Sequence, residues 1–485
     1  MRIVMLSQAE WTNDSRIIRE AESLVAVGHE VHVIARRPPN SKPAVEQRNG
    51  VVYHSIPHEN NESATDVRAL IMIDVRVRLA AARRMLGGPR RLAAARTAVQ
   101  LSAVVLAAGV LVPGLIAAAK WPRLRARVDD DWRRSRFRER LLAIMQPLRY
   151  LNDFAYRAGW LIDELEPDVV HAHDLITLSA AVTIGRRRFA KVVYDAHELE
   201  TQTNYHALSA LTKKWIARYE ATLVHDCHSV ITVSDGIADW LAREYRIPRP
   251  TVVVNAPASR LRETDDPGLR ETLGVWEPTP LVVYVGSVTV DRGLEATVEA
   301  LAYLPGVHLA TVGWRYGETE RAMRKLAAAH MISDRVHFVD PVAAGDVIGF
   351  IRDASASVIP IQNVCLSYYY CFPNKLLESV FAGLPVAVAN LAELSRFVTR
   401  YPVGVIMDER DPRAIAKAVQ AVLERRAELR PTEETIAAIE REYGWQAQEV
   451  RLRRLYSSFA RGGGGGASSK RTPPEAFVSA ASPSD

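Results

Sequence analysis

Three groups of residues in this sequence have the types and spacing that chemistry needs. Within PNKLLESVFAGLP, Glu378 is a lone carboxylate in an apolar helical pattern, with Asn374 placed to cap the helix, Lys375 adding a cation at its start and Gly383 at its end. A carboxylate one turn into a helix can accept two hydrogen bonds from a vicinal diol such as a ribose, while the helix start faces a diphosphate. In YVGSVTVDRGLE, residues 284–295, Gly286 ends a strand and Arg292 and Gly293 open a helix, so N–H groups and a guanidinium can meet a phosphate. The third group is N-terminal: Asn13, Asp14, Ser15 and Arg16 after the first strand; His171, His173 and Asp174 after another; Asp195, His197 and Glu198 after the next. Histidines beside carboxylates suit metal ligation, but HxHD and DxHE belong to different strand ends and no cysteine or further histidine completes a cage. The economical reading is a polar, metal-free pocket in which a histidine hydrogen-bonds a hydroxyl or a sugar.

All three groups depend on strands that end where they begin. The opening reads as strand RIVML, helix DSRIIREAESLVAVG closed by Gly28, and strand HEVHVIARRP, a βαβ unit. Strand-like runs recur at PDVVHAHD, AKVVYDAHE and HSVITVSDG, each feeding a helical pattern. A second cycle starts near Pro280 with LVVYVGSV, VHLATVGW, VHFVD, SASVIPI and PVAVAN, again with helices between. Val, Ile and Ala runs alternating with helices indicate parallel sheets covered on both faces, where ligands collect beyond the carboxyl ends of the strands. The expected fold is α/β: two Rossmann-like doubly wound domains, residues 1–260 and 278–440, joined by a polar linker over 258–277. A final helix is expected over 443–460, and the Gly- and Ser-rich tail 461–485 has the composition of a disordered segment.

With 485 residues, 48% hydrophobic and 24% charged, the chain is long enough for two full cores. Three cysteines, Cys227, Cys365 and Cys371, form no disulfide or metal pattern, which fits a reducing, cytoplasmic compartment. The net charge of +6 is small for this length, and no nucleic-acid partner is expected. Residues 60–150 form an oversized helical insertion. Within it, residues 75–128 carry eleven Arg or Lys and no Asp or Glu, and residues 97–119 are 23 in a row without a charge. Arginines on both flanks oppose a simple membrane crossing. A buried helical hairpin of an enlarged domain and a segment lying in the inner leaflet, its arginines on anionic headgroups, both fit.

Taken in order, NDSRIIREAESLVAVGHEVHVIA, HAHD, YDAHELE, VITVSDGIADWLAREY leading to VVVNAP, GSVTVDRG and PNKLLESVFAGLPV resemble the GT-B retaining glycosyltransferases of family four. The resemblance covers residues 1–58 and 151–460. It implies two domains facing a cleft, and transfer of a sugar from a UDP-, GDP- or dTDP-sugar to a glycan or lipid-linked acceptor with retention. No cofactor and no catalytic metal are implied, and the setting would be cell-envelope synthesis at the inner face of the membrane. By motif, Glu378 resembles the carboxylate on the donor ribose and Arg292 the cation on the diphosphate, with Lys375 assisting. His197 resembles the histidine that approaches the donor sugar, so His197, Arg292 and Lys375 are the expected catalytic set. Gly286, Ser287, Tyr370 and Asn374 join Arg292, Lys375 and Glu378 around the donor. Asn13, Asp14, Arg16, His173, Asp174 and Glu198 are expected on the acceptor side.

Two positions depart from the family pattern. Tyr370 stands where the family commonly has a first glutamate, eight residues before the second, and Ser287 where many members place a cation. A nucleotide-sugar epimerase or hydrolase of the same architecture, or a non-catalytic membrane-associated binder of a nucleotide sugar, are the competing readings.

Overall fold

Apolar β-branched runs bounded by polar turns build two sheets in the computed structural model, which describes residues 1–8, 14–37, 44–57, 154, 158–204, 210–257 and 267–461. The first sheet comprises β1 (Arg2–Ser7), β2 (Glu30–Arg37), β3 (Ala44–Arg48), β4 (Val51–Pro57), β5 (Val169–His173), β6 (Lys191–Ala196), β7 (Ser229–Thr232) and β8 (Thr251–Val252). Its order is β3-β4-β2-β1-β5-β6-β7-β8, parallel except for β3 against β4. That edge hairpin was not anticipated, although its signal was available. Asn49 and Gly50 take positive φ of 51° and 80°, as a two-residue hairpin turn requires, and β3 is a polar, exposed edge.

The second sheet comprises β9 (Leu281–Val285), β10 (His308–Val312), β11 (Val336–Val339), β12 (Ala356–Ile359), β13 (Val386–Ala389) and β14 (Gly404–Met407). Its order is β11-β10-β9-β12-β13-β14 and every pairing is parallel. Strand alternation divides the cores. Val4 and Leu6 of β1 enter one cluster while Ile3 and Met5 enter the opposite one, and Leu281, Val283 and Val285 of β9 separate likewise from Val282 and Tyr284. Both sheets therefore carry apolar side chains on two faces, the doubly wound α/β arrangement.

The last helix, Trp445–Arg461, returns the chain to the first domain. Leu452, Leu455, Tyr456 and Phe459 complete the core built on Ile3 and Met5, and Trp445 Nε1 donates to Ser23 Oγ at 3.1 Å. The insertion over 60–150, with its apolar run 97–119, lies outside the described residues, as do Asn13 and the tail 462–485. Among the described residues no helix is long and apolar enough to cross a membrane.

Candidate active site

Lys375 and Glu378 share one face of the helix Asn374–Phe381, three residues apart, at the carboxyl end of the second sheet. Asn374 is the first helical residue and not the cap it was expected to be. Pro373 holds the cap position without a side-chain bond, and Gly383 takes φ 74° beyond the end. Lys375 Nζ donates to the Tyr284 hydroxyl at 2.8 Å and sits 3.9 Å above the Tyr284 ring. The Tyr284 hydroxyl in turn donates a hydrogen bond to the Ser287 carbonyl at 3.0 Å, so Ser287 contributes backbone to the site. A Cβ on Gly286, whose φ is 123°, would stand 2.8 Å from Lys375 Nζ, which explains a glycine there.

Arg292 lies over the Tyr368 ring at 4.8 Å. Burial, with Arg292 as a second cause, lowers the Lys375 pKa to about 7. Burial likewise pushes the Glu378 carboxyl up to about 7, against the pull of Lys375 and of Arg19 from the other domain. Arg292, a lysine whose charge burial disfavours and a buried carboxylate thus meet at a strand end, an arrangement that a bound anion stabilises.

Across the cleft, β5 and β6 pair in register so that His173 is opposite Asp195. The two motifs assigned to different strand ends are in fact adjacent, because neighbouring parallel strands bring their ends together. His173 Nδ1 is 3.1 Å from His197 Nε2, and Asp195 Oδ2 is 3.3 Å from the first and 3.2 Å from the second. Asp174, at a positive φ of 62°, holds its carboxylate 3.5 Å from His197 Nδ1. Such a backbone costs on the order of 1 kcal/mol and is typical of functional turns. Burial disfavours charge on His197, but Asp174 and Asp195 outweigh it and raise the pKa to about 10, so the ring is an imidazolium at neutral pH. Glu198, beside it, is raised by burial and by Asp174.

Arg16 does not face a pocket: 1% exposed, it donates to both Asp195 oxygens at 2.8 and 2.9 Å and to the Val253 carbonyl at 2.7 Å. Asp14 caps the helix Ser15–Val25 by accepting from the N–H of Arg16 and Ile17. These two residues of the expected acceptor-side set are thereby occupied in holding the fold.

Glu20, His171, His173 and Asp195 have the donor atoms of a metal site, within 4.8 Å of one another and all buried. The Arg16 guanidinium, however, lies 3.0 Å from Glu20 and 2.8 Å from Asp195, so one cation already faces both carboxylates, and burial raises the Glu20 pKa to about 7. A divalent ion would have to share them with Arg16 and the imidazolium. Tyr370, expected at the donor, is also elsewhere: its ring packs on Gly236 of the first domain and its carbonyl accepts from Ser234 Oγ at 2.7 Å.

The family model described as Glycosyltransferase Family 4 matches residues 94–257, and that described as Glycosyl transferases group 1 matches residues 266–438. The chain belongs to glycosyltransferase family 4. It is a glycosyltransferase of GT-B fold. The first match starts within residues that the sequence resemblance left out. Glycogen synthase of Mycobacterium tuberculosis is 24% identical over 317 residues, 63% of this chain and 74% of that one. D-inositol 3-phosphate glycosyltransferase of Xylanimonas cellulosilytica is 26% identical over 300 residues, 57% and 69% of the two chains. In fold, the chain is similar to sucrose-phosphate synthase from Thermosynechococcus elongatus, with TM-score 0.64, 16% identity and coverage of 95% and 100%. It is also similar to Anabaena HepE, solved in complex with UDP and glucose, at TM-score 0.60, 12% identity and coverage of 94% and 100%.

Within the family's cleft, the side chains that sequence reasoning missed are Tyr284, Tyr368, Glu20 and Arg19. Nothing in the sequence singles out the aromatic pair; only their position against Lys375 and Arg292 gives them a part. Arg19 is half-buried and its pKa is lowered to about 10 by desolvation and by Arg16, while Glu378 of the facing domain opposes the shift.

Proposed function

We propose that the protein transfers a sugar from a nucleoside-diphosphate sugar to an acceptor hydroxyl with retention, using no catalytic metal. The observation that carries this reading is Lys375 and Glu378 on one helix face, both shifted by burial, with Arg292 close enough to Lys375 to lower its pKa further. A diphosphate leaving group develops negative charge as the sugar becomes oxocarbenium-like, and fixed cations in a dry site stabilise that charge as a metal does elsewhere. Glu378 accepts from the ribose hydroxyls, and the backbone at Gly286, Ser287 and Asn374 borders the diphosphate.

His197 acts from the facing domain as a hydrogen-bond donor. With a pKa of about 10 it is already protonated and cannot take the acceptor's proton. That favours attack on the face the diphosphate leaves, with the hydroxyl proton passing to the departing phosphate oxygen. His173, Asp174 and Glu198 line the acceptor side. UDP is the nucleotide of choice to test first, because Anabaena HepE was solved with it. The basic and apolar run over 75–128 supports a lipid-linked or glycan acceptor at an anionic membrane surface, hence a part in cell-envelope glycolipid or polysaccharide synthesis.

The test is calorimetric titration with UDP, GDP and dTDP, followed by turnover of the matching sugars with and without a lipid or glycan extract. Acceptor-dependent transfer is expected. Turnover without any acceptor supports an epimerase or hydrolase instead, and no nucleotide binding sinks the reading. Glu378→Ala should bind UDP and 2′-deoxy-UDP alike, whereas wild type should prefer UDP by about tenfold; equal preference in wild type removes the ribose assignment.

A further inference from the structure

The two domains are joined beside the cleft by polar links that the transfer chemistry does not use. Glu393, 5% exposed, follows β13 in the second domain, and its Oε1 accepts from the Gly236 N–H at 2.9 Å. Gly236 lies in the first turn of the helix Asp235–Tyr245 of the first domain, so a buried carboxylate meets the positive end of a helix dipole across the interface. Ser234, the cap of that helix, accepts from the Ile237 N–H at 3.3 Å and donates to the Tyr370 carbonyl at 2.7 Å.

Gly236 has no room for a side chain. A Cβ there would overlap Tyr370 Cδ1 and stand 2.8 Å from Glu393 Oε1. A few residues earlier, Ser367 Oγ accepts from the Leu199 N–H at 3.3 Å and lies 3.4 Å from Glu198 Oε2. Between these contacts Tyr368 supports Arg292. One short segment, 366–370, therefore touches the neighbours of His197 on one side and the diphosphate cation on the other. Leu366 and Tyr370 pack against the core of the first domain although the chain around them belongs to the second.

We propose that Glu393 and the segment 366–370 form a latch that holds the domains closed, with Tyr370 seated on Gly236 and Glu393 capping its helix. Glu393 and Tyr370 are positioning residues: they keep His197 facing Arg292 and Lys375. The departure at Tyr370 thereby gains a purpose, since a ring that seats on the opposite domain replaces a carboxylate that would point into the cleft. The inference rests on the transfer reading, because turnover is one of its readouts.

The full chain with Gly236→Ala or Glu393→Ala tests it. The added methyl must displace both Tyr370 and Glu393, while the second change removes the cap. Each should increase the radius of gyration in small-angle scattering and lower kcat by about tenfold or more, with UDP affinity within about twofold of wild type. Glu393→Gln, which keeps an acceptor oxygen, should restore most of the turnover, and Tyr370→Ala in the Gly236→Ala background should recover part of it. Unchanged radius and kcat in both single variants refute the latch, and a loss of UDP affinity parallel to kcat refutes it in favour of direct donor contact. If Gly236→Ala does not fold, Glu393→Ala decides alone. A wild type that binds UDP without transferring sugar defeats the transfer reading, and the radius then still decides the latch.

Discussion

Raising the pH from 8 to 9 should loosen the protein's hold on UDP, and the size of the change follows from Lys375. In the empty site its pKa is lowered to about 7 by burial and by Arg292, so most of it is neutral at pH 8. A bound diphosphate supplies the missing negative charge and restores the ammonium, so binding takes up a proton. With the complex titrating well above 9, one linked proton makes the apparent Kd rise about ninefold between pH 8 and 9, or about 1.3 kcal/mol. In this window Glu378, raised to about 7, is largely ionised, and terminal phosphate groups have finished titrating. Isothermal titration at pH 8.0, 8.5 and 9.0, in buffers of different ionisation enthalpy, measures both the slope and the proton uptake. Lys375→Met should bind UDP weakly and with a flat profile, and Lys375→Arg should also be flat because a guanidinium stays charged. A wild-type change below about twofold, or a Lys375→Met variant that keeps the slope, refutes the argument.

The same desolvation should make Lys375 costly in the empty enzyme. Because its folded pKa lies below the unfolded one, the unfolded state binds more protons between about pH 7 and 10, and stability contributed by this group rises with pH there. Lys375→Met should therefore raise the unfolding temperature by roughly 2–4 °C near pH 7 in scanning calorimetry, while transfer is lost; a lower temperature contradicts this. His197 should remain doubly protonated at pH 8 in nitrogen-detected imidazole spectra, and Asp174→Asn should lower its pKa from about 10 by a unit or more. A neutral ring at pH 8 in wild type defeats the argument that His197 cannot take the acceptor's proton. Asp195→Asn leaves Arg16 buried without its bidentate partner, and should cost about 3–5 kcal/mol of stability in urea unfolding. A loss under about 1 kcal/mol means the network is not a closed ion pair.

How much of this was legible beforehand differs by residue. Lys375 and Glu378 were readable because both lie on one helix, where a three-residue spacing fixes a shared face. The Gly286 turn was readable for the same local reason. The edge hairpin was missed although Asn49 and Gly50 announce its turn, since attention went to apolar runs and β3 is polar. Arg16 was misread as a pocket residue because an arginine near a strand end is ordinarily solvated. Nothing nearby in sequence shows that Asp195, 179 positions later, takes up its charge. The histidine and aspartate motifs were kept apart for want of the β5–β6 register.

By itself, then, the sequence determined the alternation of strands and helices, the two doubly wound halves, and the strand ends at which charged residues collect. These follow from periodicity and turn chemistry, which act over a few residues. Tertiary structure alone decided that two carboxylates raise the His197 pKa, that burial lowers that of Lys375, and that Tyr370 leans on Gly236 instead of entering the cleft. The physical reason is that charge state and side-chain direction depend on desolvation and on partners brought close by strand register and domain packing. Those partners lie far off along the chain, and no local pattern encodes them.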